Sequence, residues 1–253
     1  MKKILFIIFI FTISTAKAQF SEDLVLSLQS GTQAEMTGIT NPQTGQILYN
    51  TTDKKIYYYD GTSWVKTASK VISTDSDNQI EAGSDGGAYL GPTVYTGFFI
   101  ISSSGNQSIT GIPFQPSQVT FVAHANIEST DIDSDNGVGN NDKGINNSFG
   151  TMNGFARDDN GSITQQVIYV GGSGNSINDI SRFASSSNCI GVRYGDQNGN
   201  DLGKITAPVI SFNSDGFTIN VTYTNGTVTN NGGNVHPTDV LNESLVVLYT
   251  AYK

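Results

Sequence analysis

Cysteine and histidine are scarce in this chain of 253 residues, and their scarcity disfavours several classes of enzyme. The single cysteine, Cys189, rules out an internal disulfide, and the strand-like residues around it predict a buried rather than a reactive thiol. Only His124 and His236 could act as histidine bases, and the sequence contains no Gly-x-Ser-x-Gly nucleophile elbow. A serine or cysteine hydrolase is therefore not expected.

Positive charge is also in short supply, with 13 basic against 22 acidic residues and a net charge of −9. The first eighteen residues contain three lysines and no acid, so the remainder has 10 basic and 22 acidic residues, a balance of −12. An acidic surface repels phosphate backbones and anionic lipids. We therefore expect neither nucleic acid nor a membrane surface as a partner.

Long apolar runs are absent except at the start of the chain. Lys2 and Lys3 precede an apolar run from Ile4 to Ile13, and Ala16-Lys17-Ala18 forms a small-x-small site before Gln19. This is the layout of a secretory signal peptide, which predicts cleavage before Gln19 and a secreted or cell-surface protein. No later stretch approaches the roughly 20 apolar residues that span a bilayer, so no membrane span is expected.

Glycine, asparagine, serine and threonine are plentiful, whereas leucine, glutamate and lysine are few. Such a composition suits strands and turns and disfavours helices. It predicts an all-β fold. We divide the chain into a signal peptide (1–18), an N-terminal segment with a small β-meander (19–69), a linker (70–93) and a β-sandwich head (94–253).

The meander is predicted from three strand-like runs separated by short turns. The runs are Ile47 to Tyr49, Lys55 to Tyr59 and Ser63 to Lys66, with turns at 50–54 and at Asp60-Gly61. Alternation places Tyr57 and Tyr59 on one face and Tyr58 on the other. Residues 19–39 show no pattern that decides between an edge strand and a helical turn.

The meander resembles a module found in secreted surface proteins of Bacteroidota-type bacteria and in phage tail-fibre-like proteins. The matching residues are Pro42, Gly45, Tyr49, Asn50, Thr51, Tyr57, Tyr59, Asp60, Gly61 and Trp64. The resemblance implies a stalk or presentation element rather than chemistry.

The linker is rich in turn residues and is similar to a linker of phage structural proteins. That similarity lies in Asp75, Asn78, Ile80, Gly83, Ser84, Asp85, Gly86, Gly87 and Tyr89. Two such resemblances in sequence order imply a fibre-like architecture.

The C-terminal region alternates strand-like runs with Gly/Asn turns, which predicts a jelly-roll-like β-sandwich. The predicted strands are Val94 to Ile101, Gln118 to Ala125, Thr164 to Val170, Cys189 to Tyr194, Ile205 to Phe212, Phe217 to Tyr223 and Leu245 to Tyr252. Tyr95-Thr96-Gly97, the corner at 111–116 and Asp215-Gly216-Phe217 also resemble terminal head domains of phage tail proteins.

Two of these strands, Val94 to Ile101 and Leu245 to Tyr252, are apolar on both faces. Such strands are either central in a sandwich or part of a subunit interface. Together with the fibre-like resemblances, they predict a homo-oligomer, with a trimer as the expected state.

One acidic loop has the composition of a calcium site. Asp131, Asp133 and Asp135 alternate, Gly137 allows a sharp bend, and Asp142 follows. Hard cations such as calcium take six to eight oxygen ligands, and alternating carboxylates can turn inward to supply them. The loop departs from the usual pattern in its glycine position and in having Asp142 where a bidentate glutamate is usual. A plain surface loop is the alternative.

We therefore expect an exported, non-enzymatic, fibre- or adhesin-like protein whose head recognises a surface glycan or protein. The loops Ile127 to Gly150 and Gly171 to Asp179 are the expected contact regions. A secreted carbohydrate-active enzyme is the first alternative, using Glu128 and an acid from Asp131 to Asp135 as its two carboxylates. A structural subunit of an extracellular filament is the second.

Overall fold

The computed structural model describes residues 27–67, 72–75, 78–85, 87–131, 137, 143–228 and 235–253. It divides the chain into two compact units, the first ending at Tyr89 and the second running from Leu90 to Lys253. Nearly all regular structure in both units is strand, which confirms the all-β class. The predicted signal peptide and its cleavage site lie outside the described residues.

The first unit contains a four-stranded sheet in the order β1-β2-β3-β4. β1 runs parallel to β2, and the other neighbours are antiparallel, so the predicted meander is confirmed. Its turns place Gly45 and Gly61 at φ of 88° and 103°, a region that residues with a Cβ rarely adopt. The strands are Ser30–Gly31, Ile47–Asn50, Lys55–Tyr59 and Trp64–Lys66.

A short helix, α1 (Gln33–Thr37), precedes the meander in the segment whose pattern did not decide its structure. The Thr32 side chain accepts a hydrogen bond from the Glu35 backbone, and the Glu35 carboxylate accepts one from the Thr32 backbone at 2.7 Å. This capping box satisfies two otherwise unpaired amides. Met36, only 1% exposed, fixes the helix to the sheet beside the buried Asn50.

The predicted linker contains a small hairpin, formed by β5 (Glu81–Ala82) and β6 (Ala88–Tyr89). The Asp85 carboxylate accepts a hydrogen bond from the Gly87 amide at 2.9 Å and closes its turn. The sequence indicated only turns here, because strands of two residues are too short to show alternation.

The second unit is a β-sandwich of a six-stranded and a five-stranded sheet. The larger sheet has the order β12-β11-β10-β9-β17-β7, and the smaller has β13-β14-β16-β15 with β8 also pairing with β16. The strands are β7 (Val94–Ile101), β8 (Gly105–Ile109), β9 (Gln118–His124), β10 (Ser148–Asp159), β11 (Ser162–Ser173), β12 (Ser176–Ser185), β13 (Ile190–Gly195), β14 (Asp201–Ala207), β15 (Val209–Asn213), β16 (Gly216–Asn225) and β17 (Leu245–Tyr252).

Aromatic rings join the two sheets in the core. Phe217 of the smaller sheet lies 6.1 Å from Phe99, 5.6 Å from Phe121 and 5.4 Å from Tyr249, measured between ring centroids. Edge-to-face pairs of this kind add to the stabilisation from burial alone. β10 approaches β13 closely at Gly154, where a Cβ would overlap the carbonyl oxygen of Cys189.

The predicted strand Ile205 to Phe212 is wrong as one element. The structure ends β14 at Ala207 and begins β15 at Val209, so Pro208 separates two strands that pair with different parts of β16. Proline has no amide hydrogen and interrupts a ladder. The strands β8, β10 and β12 were not predicted, because glycine, serine, asparagine and charged residues interrupt their alternation.

The two predicted contact loops are also shorter than expected. Residues 145–147 form a 3₁₀ turn and β10 begins at Ser148, so the loop after Ile127 ends before Gly150. Gly171 to Asp179 is not a loop but a hairpin, in which β11 and β12 are joined by Gly174 and Asn175. Asparagine and glycine sit in both strands and turns here, which misled the prediction.

Candidate functional site

The outer face of the larger sheet carries large apolar side chains that the sandwich core does not cover. Phe98 is 56% exposed, Leu248 53%, Ile168 57% and Val170 60%. Side chains alternate along a strand, so the neighbours Phe99, Val247 and Val167 point into the core while these residues point outward. We call this surface the apolar face. It comprises Phe98, Val122, Phe149, Phe155, Ile168, Val170, Ile180 and Leu248.

Strand register makes the apolar face continuous. Leu248 pairs with Phe98 on one side and with Val122 on the other. Val122 pairs with Asn153, and Asn153 with Ile168. Side chains opposite each other on one face lie about 5 Å apart. One row of side chains therefore crosses the sheet, with Asn153 as its polar member between two apolar groups.

Two shallow depressions flank β9 on this face. The first, with a volume of about 520 Å³, includes Val122, Phe155 and Ile168 in its lining. The second, of about 470 Å³, is lined by Val122 and Leu248 together with threonines. Both are large enough to accept side chains of another molecule.

Charge is sparse on the apolar face. Arg157 and Arg182 alternate onto it, and the carboxylate that shares their side, Asp159, lies at the end of β10. Asp159 accepts hydrogen bonds from Thr164 and, at 2.9 Å, from Arg157, and these bonds lower the pKa of its carboxyl. The sheet centre is thus free of carboxylates in a strongly acidic chain.

The outer face of the smaller sheet is polar by contrast. Ser108 and Thr218 hydroxyls lie 3.0 Å apart across β8 and β16, and Thr218 also accepts from Asn213 at 3.0 Å. Asn220 donates to Asn106 on the same face, and Thr222 is exposed. Hydroxyl and amide groups like these are readily solvated. The two outer faces of the sandwich therefore differ sharply in chemistry.

A carboxyl pair forms a second distinctive feature. Glu243, 6% exposed, shares a side-chain hydrogen bond with the exposed Glu128. Burial first, and then the hydrogen bond and charge of Glu128, raise the pKa of the Glu243 carboxyl to about 8. The raised pKa favours the protonated form of Glu243, the form that can share a proton with Glu128.

Two tyrosines, Tyr194 and Tyr223, lie near the carboxyl pair of Glu243 and Glu128. The Tyr223 hydroxyl donates to the Glu243 backbone carbonyl at 2.8 Å, and burial raises the pKa of Tyr223 to about 12. Burial, followed by the charge of Glu243, raises the pKa of Tyr194 well above its ordinary value. Within the described residues, the Tyr194 hydroxyl and Oε2 of Glu243 are buried without a hydrogen-bond partner. Sequence reasoning singled out Glu128 but missed Glu243, since no local motif links residues so far apart.

The predicted calcium ligands are only partly visible. Asp131 is exposed, whereas Asp133, Asp135 and Asp142 lie outside the described residues. In the described part of the chain, no group of three or more His, Cys, Asp or Glu side chains is arranged to hold a metal. The calcium site stays a prediction.

Two other acidic segments, at residues 158–161 and 196–200, form turns. Asp158 accepts a hydrogen bond from the Gly161 amide at 2.6 Å, closing the hairpin between β10 and β11. The Asp196 carboxylate, buried at 1% exposure, accepts amide hydrogens from Asn198 and Asn200 at 2.9 and 2.8 Å. These carboxylates stabilise local backbone.

Cys189 is fully buried, as predicted, and burial raises the pKa of its thiol to about 12. His124 is exposed with Nδ1 3.0 Å from the Thr151 hydroxyl, and His236 lies in a turn beside Asp239. In the meander, Tyr59 packs on Trp64 with ring centroids 5.6 Å apart. These contacts are structural and assign no chemistry to the residues.

Residues 21–82 match the family model of the phage tail like trimerisation region. The match covers the meander and reaches the first strand of the linker hairpin, so the resemblance to phage tail-fibre-like modules is confirmed. It supports assembly as a homo-oligomer, with three copies as the number that the family's description gives. No curated protein and no solved structure matches the chain. Among the described residues, no helix has the length and apolar character of a membrane span.

The fold and the match together define a class of protein. The chain is an all-β protein in which a trimerisation-type module precedes a β-sandwich. That arrangement is the one expected of fibre-like structural or adhesin proteins.

Proposed function

We propose that this chain is an exported, non-enzymatic, fibre-like protein that trimerises through residues 21–82 and presents its β-sandwich as a head that binds a surface glycan or protein. The observation that carries the proposal is the trimerisation-region match immediately before the sandwich. Three identical heads on one stalk raise avidity for a repetitive surface, so weak individual sites suffice.

Export from the cell and a secreted or cell-surface location belong to the same proposal. They are supported by the signal-peptide layout ahead of Gln19. Mass spectrometry of the protein recovered outside the producing cells should give an N-terminus at Gln19. An intact Met1 terminus would contradict this part.

The assembly and the ligand can be tested on the same sample. Analytical ultracentrifugation should give the mass of three chains, and a glycan array probed with that trimer should show retention of a defined set of glycans. A monomer in the first measurement contradicts the trimer. Retention of no glycan shifts the proposal to a protein partner, which pull-down with purified surface proteins addresses.

One observation favours a carbohydrate-active enzyme as a second candidate. A carboxyl with a raised pKa beside another carboxyl, as at Glu243 and Glu128, is what an acid catalyst requires. However, glycosidase carboxyls stand about 5 Å or more apart to accommodate the sugar, whereas these two are hydrogen-bonded and Glu243 is buried. Turnover of an array glycan that is lost in Glu243→Gln would favour the enzyme over the binder.

The apolar face favours a filament subunit as a third candidate, because an uncovered apolar surface can drive open-ended assembly. Concentrated protein should then polymerise, as seen by electron microscopy. A discrete trimer at all concentrations supports the binding protein instead.

A further inference from the structure

The apolar face of the β-sandwich is a surface that we expect another molecule to cover. Its six most exposed large members, Phe98, Phe149, Ile168, Val170, Ile180 and Leu248, are each more than half exposed. Single exposed apolar residues are ordinary on protein surfaces, but a continuous patch marks an interaction site. Strand register places these residues in adjoining rows across β7, β17, β9, β10, β11 and β12, so the patch is continuous.

Charge points to a second copy of the same chain as that occupant. Copies of a chain with a net charge of −9 repel one another wherever carboxylates meet. The centre of the apolar face has no carboxylate, and its charged members are Arg182, Arg157 and, at the end of β10, Asp159, which forms an ion pair with Arg157. It is therefore a surface on which two acidic copies can approach closely.

Trimerisation through residues 21–82 would give the three sandwiches a high effective concentration relative to one another. A trimer held by residues 21–82 keeps three sandwiches tethered together, because the same chain continues into the second unit. Tethering of this kind gives an effective concentration in the millimolar range for flexible links. At such a concentration even a weakly adhesive face would be occupied by its neighbour.

A closed trimer also needs two different patches on each copy, since three-fold contacts are heterologous. The apolar face provides two. One consists of Phe98 and Leu248 on the β7–β17 side, and the other of Ile168, Val170 and Ile180 on the β11–β12 side. The polar Asn153 separates them in the row, and a depression lies beside each.

We propose that, in the trimer, the Phe98–Leu248 patch of one sandwich packs against the Ile168–Val170–Ile180 patch of the next. The inference rests on the trimeric assembly in the proposed function, and it assigns to that assembly an interface outside residues 21–82. The polar outer face of the smaller sheet and the loops then remain free for a ligand.

Thiol accessibility in the full chain tests the interface. Leu248→Cys and Ile168→Cys place thiols in the two patches, and Thr222→Cys is the matched control on the polar face. The native Cys189 is buried and does not compete. In the trimer, the two patch thiols should react with a maleimide about tenfold more slowly than the Thr222→Cys thiol, as a burial of about 1.4 kcal/mol would produce.

Cross-linking tests the heterologous arrangement. The double variant Leu248→Cys/Ile168→Cys, treated with a short bifunctional maleimide, should give covalent trimers, whereas Thr222→Cys should stay as single chains. Cross-linking that stops at dimers overturns the three-fold contact. Patch thiols that react as fast as Thr222→Cys in a chain that sediments as a trimer overturn the interface alone. A chain that sediments as a monomer overturns the trimer of the proposed function itself.

Discussion

Glu243 illustrates how one side chain can couple stability to pH. Its folded pKa of about 8 lies above the ordinary value of 4.5 for an unfolded glutamate. Folding therefore favours the protonated form. The stabilisation is fully present below pH 4.5 and is lost progressively as pH rises from there to about 8, with no further change above. With Glu243 only 6% exposed, the expected loss is on the order of a few kcal/mol.

Replacement of Glu243 by glutamine should remove this dependence. Glutamine keeps the shape and a hydrogen-bond donor toward Glu128 but does not ionise. We expect Glu243→Gln to melt at a higher temperature than the parent at pH 9 and at a similar temperature at pH 5, as measured by circular dichroism. Glu128→Gln is the companion variant, and it should shrink the pH dependence without abolishing it, because burial of Glu243 remains. Equal melting of parent and Glu243→Gln at pH 9 would contradict the assignment.

Gly154 is a residue where two strands approach each other closely. A Cβ added there would overlap the carbonyl oxygen of Cys189, so β10 and β13 would have to separate. We expect Gly154→Ala to destabilise the sandwich by about 2 kcal/mol or more, in line with overpacked cores. Gly137→Ala is the control, because no atom of the described residues lies within 4 Å of its added Cβ. Denaturant titrations of the two variants should separate them clearly, and similar midpoints would argue against the close packing.

At the level of elements, strands with clear alternation or unbroken apolar runs were predicted well. Val94–Ile101 and Leu245–Tyr252 have the bounds expected from their apolar runs. β10 and β12 were not predicted from the sequence because their inward positions include Ser148, Gly150 and Ser181, which are not apolar side chains. In β10 the core accepts a glycine because another strand packs directly on the backbone.

Only part of the candidate site could be predicted from the sequence. The doubly apolar strands indicated either a central position in the sandwich or a subunit interface, and the structure places Phe98 and Leu248 in the apolar face. Their continuity with Ile168 depends on the register of β9 and β10, which no local pattern encodes. The carboxyl pair depends in the same way on β17, whose Val246 amide donates to the Ile127 carbonyl at 2.9 Å and brings Glu243 near Glu128.

The acidic loop from Asp131 to Asp142 leads us to expect that calcium binding stabilises the chain. Four aspartates within this short segment repel one another, and a divalent cation would reverse that repulsion. If calcium binds only the folded chain, it stabilises by about 2.7 kcal/mol at a hundredfold excess over its dissociation constant. Melting temperature should therefore rise in millimolar calcium.

Asp133→Ala should lose most of the calcium response. Asp158→Ala is the control, since its carboxylate closes a hairpin turn by a hydrogen bond to the Gly161 amide and belongs to a different segment. It should lower stability slightly while keeping the response. Identical melting of the parent chain with calcium and with a chelator would leave the segment as a plain surface loop.

At the scale of the whole molecule, we expect the apolar outer face of the sandwich to serve assembly and the polar outer face to serve recognition. The smaller sheet exposes hydroxyls and amides, including Ser108, Thr218 and Thr222, that a glycan or water can hydrogen-bond. The larger sheet exposes aromatic and branched side chains with almost no charge. On a single head such a surface would lower solubility. In a trimer that buries it, the same surface would stabilise the assembly by roughly 25 cal/mol per Å² of apolar area removed from water.

A charge placed in the apolar face should therefore act on the assembly as a whole. Leu248 lies between Phe98 and Val122 in the central row, and the patch that it would face contains Arg182 beside Val170. Leu248→Arg would therefore bring two guanidinium groups together wherever two copies meet, and like charges repel. We expect the melting temperature of the full chain to fall by about 5 °C or more, since 1 kcal/mol corresponds to roughly 2 to 4 °C at this size. Thr222→Arg, on the polar face, should change it little. If the apolar face is open to solvent in the assembled protein, Leu248→Arg should instead be as neutral as Thr222→Arg, because a charged residue is well tolerated on a solvated surface. Differential scanning calorimetry of both variants at matched concentration distinguishes the two outcomes.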